Sequence, residues 1–548
     1  MAGKLKEGAA PDRLAMSLYA PGMTVLHRAG LGGLACSLRH VERAWADGFL
    51  AGDEVPGGPW PGDEAPWDVT DRSVTLRFGE PEGAREFLRR LFALSFRLQG
   101  PLIDLPGQYG AVPPSLVVRA EIQAGLLLTF LQHGRTRKLS RDSQLVQVDP
   151  VGDGLSLVAV EYRPCTWYKH QDGWDDLTDA KTGALTRGTV EVIGPLNPGA
   201  VVRHVAFSAA TRIEEPPGRA LPLYFALVGC LALPVNRGVG VLVVPDVEDL
   251  RVFAHDRPLM TPRSARECRI GGAGDAALQA QVRLRSRGLI DQLGLPACHA
   301  ARFRPTTWAT QQKSRVETLL TPRREAHRYQ PPEETEEERG LRLFEAALAV
   351  LPPRVRPRAE GEAHFWADSV ARPLIADNLA RGRRWYEGFH TLMTARGGGG
   401  GPLRHRLHDE RGGLRAMTTD PDFLTDPERV LVRAVHEAIR NNLGRIYDET
   451  DRGRPVSPAT RNRWKRFRER LRLSLVGART ADQCRNALCT LFGNAGTLKE
   501  LQGGWQVLLP MLRDRGWPLA RDLALLALAS YARPEEETEA TPVEGEGP

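Results

Sequence analysis

Two breaks constrain this chain more than any motif does. Pro331-Pro332 leads into the acidic run Glu333–Glu338, and Gly397–Gly401 is five consecutive glycines. Neither stretch continues a helix or strand: proline fixes φ and removes a backbone donor, and a glycine run is entropically costly to order. The hydrophobic period is mixed before these breaks and helical after them. Together with a length of 548 residues, this points to more than one core. The expected class is α+β, a mixed N-terminal α/β domain followed by an all-α C-terminal helical bundle. The expected boundaries are an α+β domain over 1–330, a helical linker region with the glycine-rich loop over 331–416, a bundle over 417–533, and a disordered acidic tail over 534–548.

Local patterns fill in this outline. Arg72–Phe78 alternates as a strand, and Leu155–Tyr162 and Thr189–Ile193 are β-branched runs. Gly83–Leu98 predicts a helix with Phe87, Leu91, Leu94 and Leu98 on one face. Leu221–Leu233 is almost wholly apolar but too short to span a bilayer, so it predicts a buried core helix. Val239–Val244 predicts a buried strand. Helices are expected over Glu338–Leu351 and Ala363–Arg396. Beyond these, Asp426 caps a helix with Pro427 at its first position, and Ser457-Pro458 starts a second that Gly477 stops. Thr480 with Gln483 caps a third, and Leu498–Leu512 and Pro518–Tyr531 supply two more.

Composition narrows the function. The net charge is +7, and it rises to +13 without the six glutamates of Pro534–Pro548, which favours a polyanionic partner. Seven scattered cysteines, no long apolar run and a charged start without an apolar core suit a cytoplasmic protein with no membrane association. There is no phosphate loop, no GxSxG and no CxxC. Gly30-x-Gly32-Gly33 and Gly271-Gly272-Ala-Gly274 lack the strand–helix context of a dinucleotide fingerprint. Cys298-His299, Cys165 with His170, His255-Asp256 and His408-Asp409 have no metal-ligand spacing. No catalytic residue, metal site or cofactor is expected.

Basic clusters remain. Arg461, Arg463, Lys465, Arg466, Arg468, Arg470 and Arg472 fall within twelve residues, anchored by Trp464, Phe467 and Leu471. With Arg433 and Arg440 of the preceding helix they predict a surface that neutralises DNA phosphates. Solvated helix faces normally mix signs, which is the plainer alternative. His133, Arg135, Arg137 and Lys138 form a basic turn after a helix and are assigned to RNA. Lys169 and Gln171 beside Trp167, and Gln311, Gln312 and Lys313 beside Trp308, combine donors with aromatics as base-reading residues do. Half-buried aromatics with polar neighbours look the same in sequence.

Several segments resemble the large subunit of the MYXAN-subtype type I CRISPR effector complex, or Cascade. They are Ala20–Leu34, Thr129–Leu139, Leu221–Pro234 with Gly240–Leu250, Asp275–Leu284, Trp308–Val316 and Ala520–Tyr531. The resemblance runs from about residue 16 to 533. It implies a non-catalytic subunit for antiviral defence, which recognises the protospacer-adjacent motif and stabilises the R-loop. The implied partners are guide RNA, target DNA, other Cascade backbone subunits, and a recruited nuclease or transposon factor. The C-terminal bundle resembles the small subunit, and some type I systems make that subunit from inside the large-subunit gene. Met417, expected at a domain boundary, is the candidate start for such a product of 132 residues. The alternatives are a nucleic-acid-binding regulator outside a CRISPR complex, and a nuclease acting on guide or target.

Overall fold

The computed structural model describes residues 11–46, 65–150, 156–192, 213–236, 238–287, 297–306, 313–321, 335–357, 364–396, 402–513 and 515–532, with 152, 154, 194 and 196–198 besides. The chain forms two compact units. The first comprises Met1–Glu334 with Pro353–Ala367, and the second Thr335–Pro352 with Asp368–Pro548. An α/β unit followed by helices gives the α+β class.

The first unit is centred on α1 (Val25–Ala46), which packs against α5 (Pro217–Gly229). Their backbones touch. A Cβ at Gly30 would stand 2.0 Å from the Pro222 carbonyl oxygen, and one at Gly229 would stand 1.9 Å from that of Ala29. The glycines of Gly30-x-Gly32-Gly33 therefore serve close helix packing. A three-stranded sheet has the order β1 (Arg13–Ser17), β3 (Ser73–Arg77), β2 (Trp67–Val69). α2 (Ala84–Ser95) is shorter than its sequence pattern, and Leu98 lies instead in the hairpin of β4 (Arg97–Gln99) and β5 (Leu102–Asp104). The helix stops because Phe96 turns into an aromatic cluster with Phe92, Phe225 and His170. α3 (Leu116–Leu128) leads to β6 (Arg137–Leu139), β7 (Gln144–Val148), β8 (Val158–Tyr162), β9 (Cys165–Tyr168) and the short α4 (Gly173–Leu177). β10 (Val190–Glu191) pairs with β11 (Glu214–Glu215).

The apolar run Leu221–Leu233 is not one helix. α5 ends at Gly229, and β12 (Leu231–Asn236) begins a four-stranded antiparallel sheet with β13 (Val239–Pro245), β14 (Cys298–Thr306) and β15 (Lys313–Thr321). The break is held by Arg257 of α6 (Leu250–Met260). Its fully buried guanidinium donates to the carbonyls of Gly229 at 2.9 Å and Cys230 at 2.6 Å. Every β13 residue is buried, with α1, α3 and α7 (Ala273–Arg287) packed against the strand, so it reads as an unbroken apolar run.

The second unit begins with α8 (Glu336–Val350), whose N-terminus carries a capping box of Thr335 and Glu338. The expected helix over Ala363–Arg396 is instead a strand and two helices. β16 (Arg354–Pro357) and β17 (His364–Ala367) return to the first unit, where β17 pairs parallel to β8. α9 (Arg372–Ala380) and α10 (Phe389–Thr394) stay in the second unit with α11 (Leu403–Asp409) and α12 (Arg411–Thr419). They are followed by α13 (Asp426–Asp451), α14 (Pro458–Gly477), α15 (Ala481–Ala495), α16 (Lys499–Leu508) and α17 (Trp517–Ser530). Thr425, one residue before Asp426, caps α13.

One core runs from Leu343 and Phe389 through Leu414 to Leu431, Leu488 and Leu525. Buried carboxylates stitch segments of it that are distant in sequence. Asp522 accepts from the Gly388 N–H at 2.6 Å, Glu428 from the Tyr386 hydroxyl at 2.6 Å, and Glu410 from the N–H groups of Val370 and Ala371. Thus much of the segment expected as a linker is core. Met417 is fully buried within α12, not at a boundary. Gly397–Gly401, Pro331–Glu334 and the acidic tail lie outside the described residues.

Candidate nucleic-acid interface

In the second unit, Ser457 accepts from the Thr460 N–H and Pro458 opens α14, so the basic sequence enters a well-started helix. Trp464, Phe467, Leu471 and Leu475 turn inward, and the Trp464 indole donates to the Leu443 carbonyl at 3.0 Å. The cations flank this stripe. A cleft of about 490 Å³ among α13, α14 and α15 is lined by Arg445, Arg463, Arg466 and Arg470, with Asn442, Thr490 and Asn494 among its polar walls. Glu449 also lines it, 2.7 Å from Arg463 and 3.9 Å from Arg445. Four arginines against one carboxylate make the cleft cationic, with Phe467 and Leu471 as apolar wall.

The structure divides the expected cations. Arg461 and Lys465 are exposed on α14 outside the cleft, and Arg468, half-buried, lies 5.6 Å over the Tyr531 ring. Arg472 is buried: it donates to both oxygens of Glu469 and to the Met393 carbonyl, so its charge is consumed within the unit. Arg433 and Arg440 do not join the cleft. Arg440 lies about 140° around α13 from Arg445 at ~100° per residue. It stands 3.9 Å from Glu437, whose carboxylate accepts from the Lys499 and Glu500 N–H groups at the start of α16. Arg445 was missed; only its place on the Asn442–Ile446–Glu449 stripe signalled it.

In the first unit, two clusters separate in sequence become one. β6 pairs antiparallel with β9, setting Arg137 opposite Tyr168 and Lys138 opposite Trp167. The Lys138 ammonium lies 5.4 Å over the Trp167 ring, whose indole N–H donates to Asp172 at 2.6 Å. His133 and Arg135 are exposed in the turn before β6. Arg137 is tucked in and donates to the Leu127 carbonyl, and burial lowers its pKa. Arg135 and Lys169 line a second cleft of about 460 Å³ with Asp176, Glu191 and Tyr224. Lys169 pairs with Asp176 at 2.8 Å, and the Tyr224 hydroxyl donates to the same carboxylate at 2.5 Å. Burial, reinforced by Asp176, pushes the Tyr224 phenol far above its usual range. Gln171 spends its side-chain oxygen accepting from the Tyr168 N–H at 3.2 Å. Gln311 and Gln312 lie outside the described residues; Lys313 opens β15 opposite Thr306.

Among the described residues no cluster of three His, Cys, Asp or Glu side chains is placed to hold a metal ion, and no helix is long and apolar enough to cross a membrane. The DevT N-terminal domain matches residues 15–224, which carry the β6–β9 patch, and the DevT C-terminal domain matches 421–546, which carry the arginine cleft. Over 552 residues the chain is 37% identical to the CRISPR-associated protein Cas8a1/Csx13 of Myxococcus xanthus (strain DK1622), covering 96% of this chain and 90% of that protein.

The chain belongs to the Cas8a1/Csx13 family. It is accordingly a large subunit of a MYXAN-type CRISPR effector complex, Cascade, and works in company with other Cas subunits. The two clefts lie in the parts of this Cas8a1/Csx13 sequence that the two DevT domains match.

Proposed function

We propose that this large subunit recognises the protospacer-adjacent motif in duplex DNA and stabilises the R-loop, with no bond-breaking chemistry of its own. The observation that carries this reading is the cleft with Arg445, Arg463, Arg466 and Arg470 on its walls. Guanidinium groups along a groove neutralise successive phosphates without reading bases, which suits a displaced single strand. The β6–β9 patch supplies donors held in place by Asp172, Asp176 and Trp167, a composition suited to positioning guide RNA or probing a groove. Base pairing by the guide then reads the remaining sequence. The assembled complex, challenged with a fluorescent bubble duplex, tests the assignment. Arg463→Ala, Arg466→Ala and Arg470→Ala together should weaken capture of the open strand on every target alike. Unchanged capture would remove the cleft from the pathway, and magnesium-dependent cleavage by the isolated chain would favour a nuclease instead.

The same reading includes a short product begun at Met417, lining the filament as a small subunit. The matched DevT C-terminal domain starts close by, at residue 421, and supports it. Such a product leaves behind α8–α11, whose Leu343, Phe389 and Leu407 pack into the same core, so its stability alone should be low. A C-terminal tag on the native gene should reveal a second band that Met417→Leu removes; a single full-length band overturns the idea.

A further inference from the structure

This inference concerns control of α14 and rests on the proposed binding of nucleic acid by that helix. The helix carries cations on two flanks of its apolar stripe. Arg463, Arg466 and Arg470 line the cleft shared with α13 and α15. Arg461 and Arg468 fall on the other flank, toward α17, and Lys465 lies beyond them on the outer face, at ~100° of turn per residue. Tyr531 sits on that second side. Its ring lies beneath the Arg468 guanidinium at 5.6 Å and meets the His436 ring edge-on at 5.8 Å, and the residue is 8% exposed. Chain that leaves α17 is thus anchored beside α14, and the described residues end one position later, at Ala532.

The sequence continues through Arg533 into Pro534–Pro548, which hold six glutamates and no Lys or Arg. Glu535, Glu536 and Glu537 follow Tyr531 closely, within a span of at most about 20 Å of extended chain. The whole segment reaches about 50 Å, several times the ~10–12 Å width of a helix. We propose that residues 534–548 dock along α14 as an internal anion, their carboxylates covering Arg461, Lys465 and Arg468 and competing with phosphates for the helix. A tethered partner acts at an effective concentration in the millimolar range, so even weak carboxylate–guanidinium pairing occupies the site in cis. A bound strand displaces it by making more contacts, and salt weakens both.

The test compares the full chain with a chain ending at Ala532 and with a version in which the six glutamates are glutamine. Binding of a labelled single-stranded oligonucleotide at low salt should tighten about tenfold in both variants, with the gain shrinking as salt rises. A general charge effect is separated by adding a labelled peptide of residues 534–548 to the chain ending at Ala532. The peptide should bind, lose binding on Arg461→Ala with Lys465→Ala, and keep it on Arg13→Ala with Arg72→Ala, two exposed arginines of the first unit. A peptide that does not bind, or that ignores which pair is removed, overturns the docking. If the tail variants change nothing while Arg463→Ala, Arg466→Ala and Arg470→Ala weaken oligonucleotide binding, the docking fails and the strand-binding reading stands. If the peptide docks on α14 but that triple has no effect, strand binding fails and the docking stands.

Discussion

The arginine cleft of the second unit and the β6–β9 patch of the first are both basic, but their charges are held differently. In the cleft, four arginines share one carboxylate, Glu449. In the patch three cations have their own answers: Lys169 has Asp176, Lys138 has the Trp167 face, and Arg137 has a backbone carbonyl. Unanswered cations on a helix suit a partner recognised by charge alone. Cations fixed by local partners cost less to order and suit a partner recognised by position. The difference follows from the scaffold. A helix presents side chains all round, so one basic run supplies several outward cations, whereas a strand pair offers alternate positions and fixes each against a neighbour.

The largest effect that sharpens this comparison is on the stability of the cleft's own scaffold. His436 lies between α13 and α17, within 2.9 Å of the Ala527 carbonyl oxygen and 3.1 Å of the Ser530 hydroxyl. Burial, opposed in part by the Ala527 hydrogen bond and reinforced by Arg415, pulls its pKa down to about 4 from 6.5. The unfolded chain takes up this proton near pH 6.5 and the folded one only near 4. Its contribution is therefore full above the higher value and lost as pH falls toward the lower, by up to about 3 kcal/mol. Thermal melts at pH 7.5 and 4.5 should show this loss, and His436→Gln should shrink it; an equal loss in that variant would place the acid sensitivity elsewhere.

Next in size is the cleft itself. Removing Arg463, Arg466 and Arg470 should weaken single-strand binding roughly fifty-fold at physiological salt and lower the log–log salt slope by about 2. A titration at three salt concentrations reads both, and an unchanged slope would mean these arginines only face solvent. Arg472→Met should behave oppositely, costing about 2 kcal/mol of stability through its lost bonds to Glu469 and Met393 while leaving the salt slope alone. A changed slope would return that residue to the binding face. The smallest effect belongs to the patch: Lys169→Ala should cost about 1 kcal/mol on duplexes bearing the preferred motif and little on scrambled ones. Equal loss on both would make the patch another charge surface and erase the contrast.

Several features were legible in the sequence because they are local. Ser457-Pro458 and Thr480 start their helices as their chemistry requires, β3 and β13 follow their patterns, and the α14 stripe follows the 3.6-residue period. What local pattern could not show was where a run is cut. Nothing in Leu221–Leu233 marks the change from helix to strand; that is imposed by Arg257, from a helix some thirty residues on, capturing the Gly229 and Cys230 carbonyls. Likewise β17 is a strand because β8 offers an edge to pair with, against an expectation of helix over Ala363–Arg396.

By itself, the sequence determined that this protein has a mixed unit and a helical one, that one helix concentrates cations, and that its segments resemble a Cascade large subunit. Each of these lies in composition, short-range period or continuous motif. Only the tertiary structure decided which cations remain available. Arg472 disappears into the core, Arg440 turns toward α16, and Arg445 enters the cleft, although all three are arginines on amphipathic helices. It also made one patch of Lys138 and Trp167 and placed Met417 inside a core. Burial and pairing depend on residues distant in the chain, and a charge binds an external partner only where the fold has not already answered it.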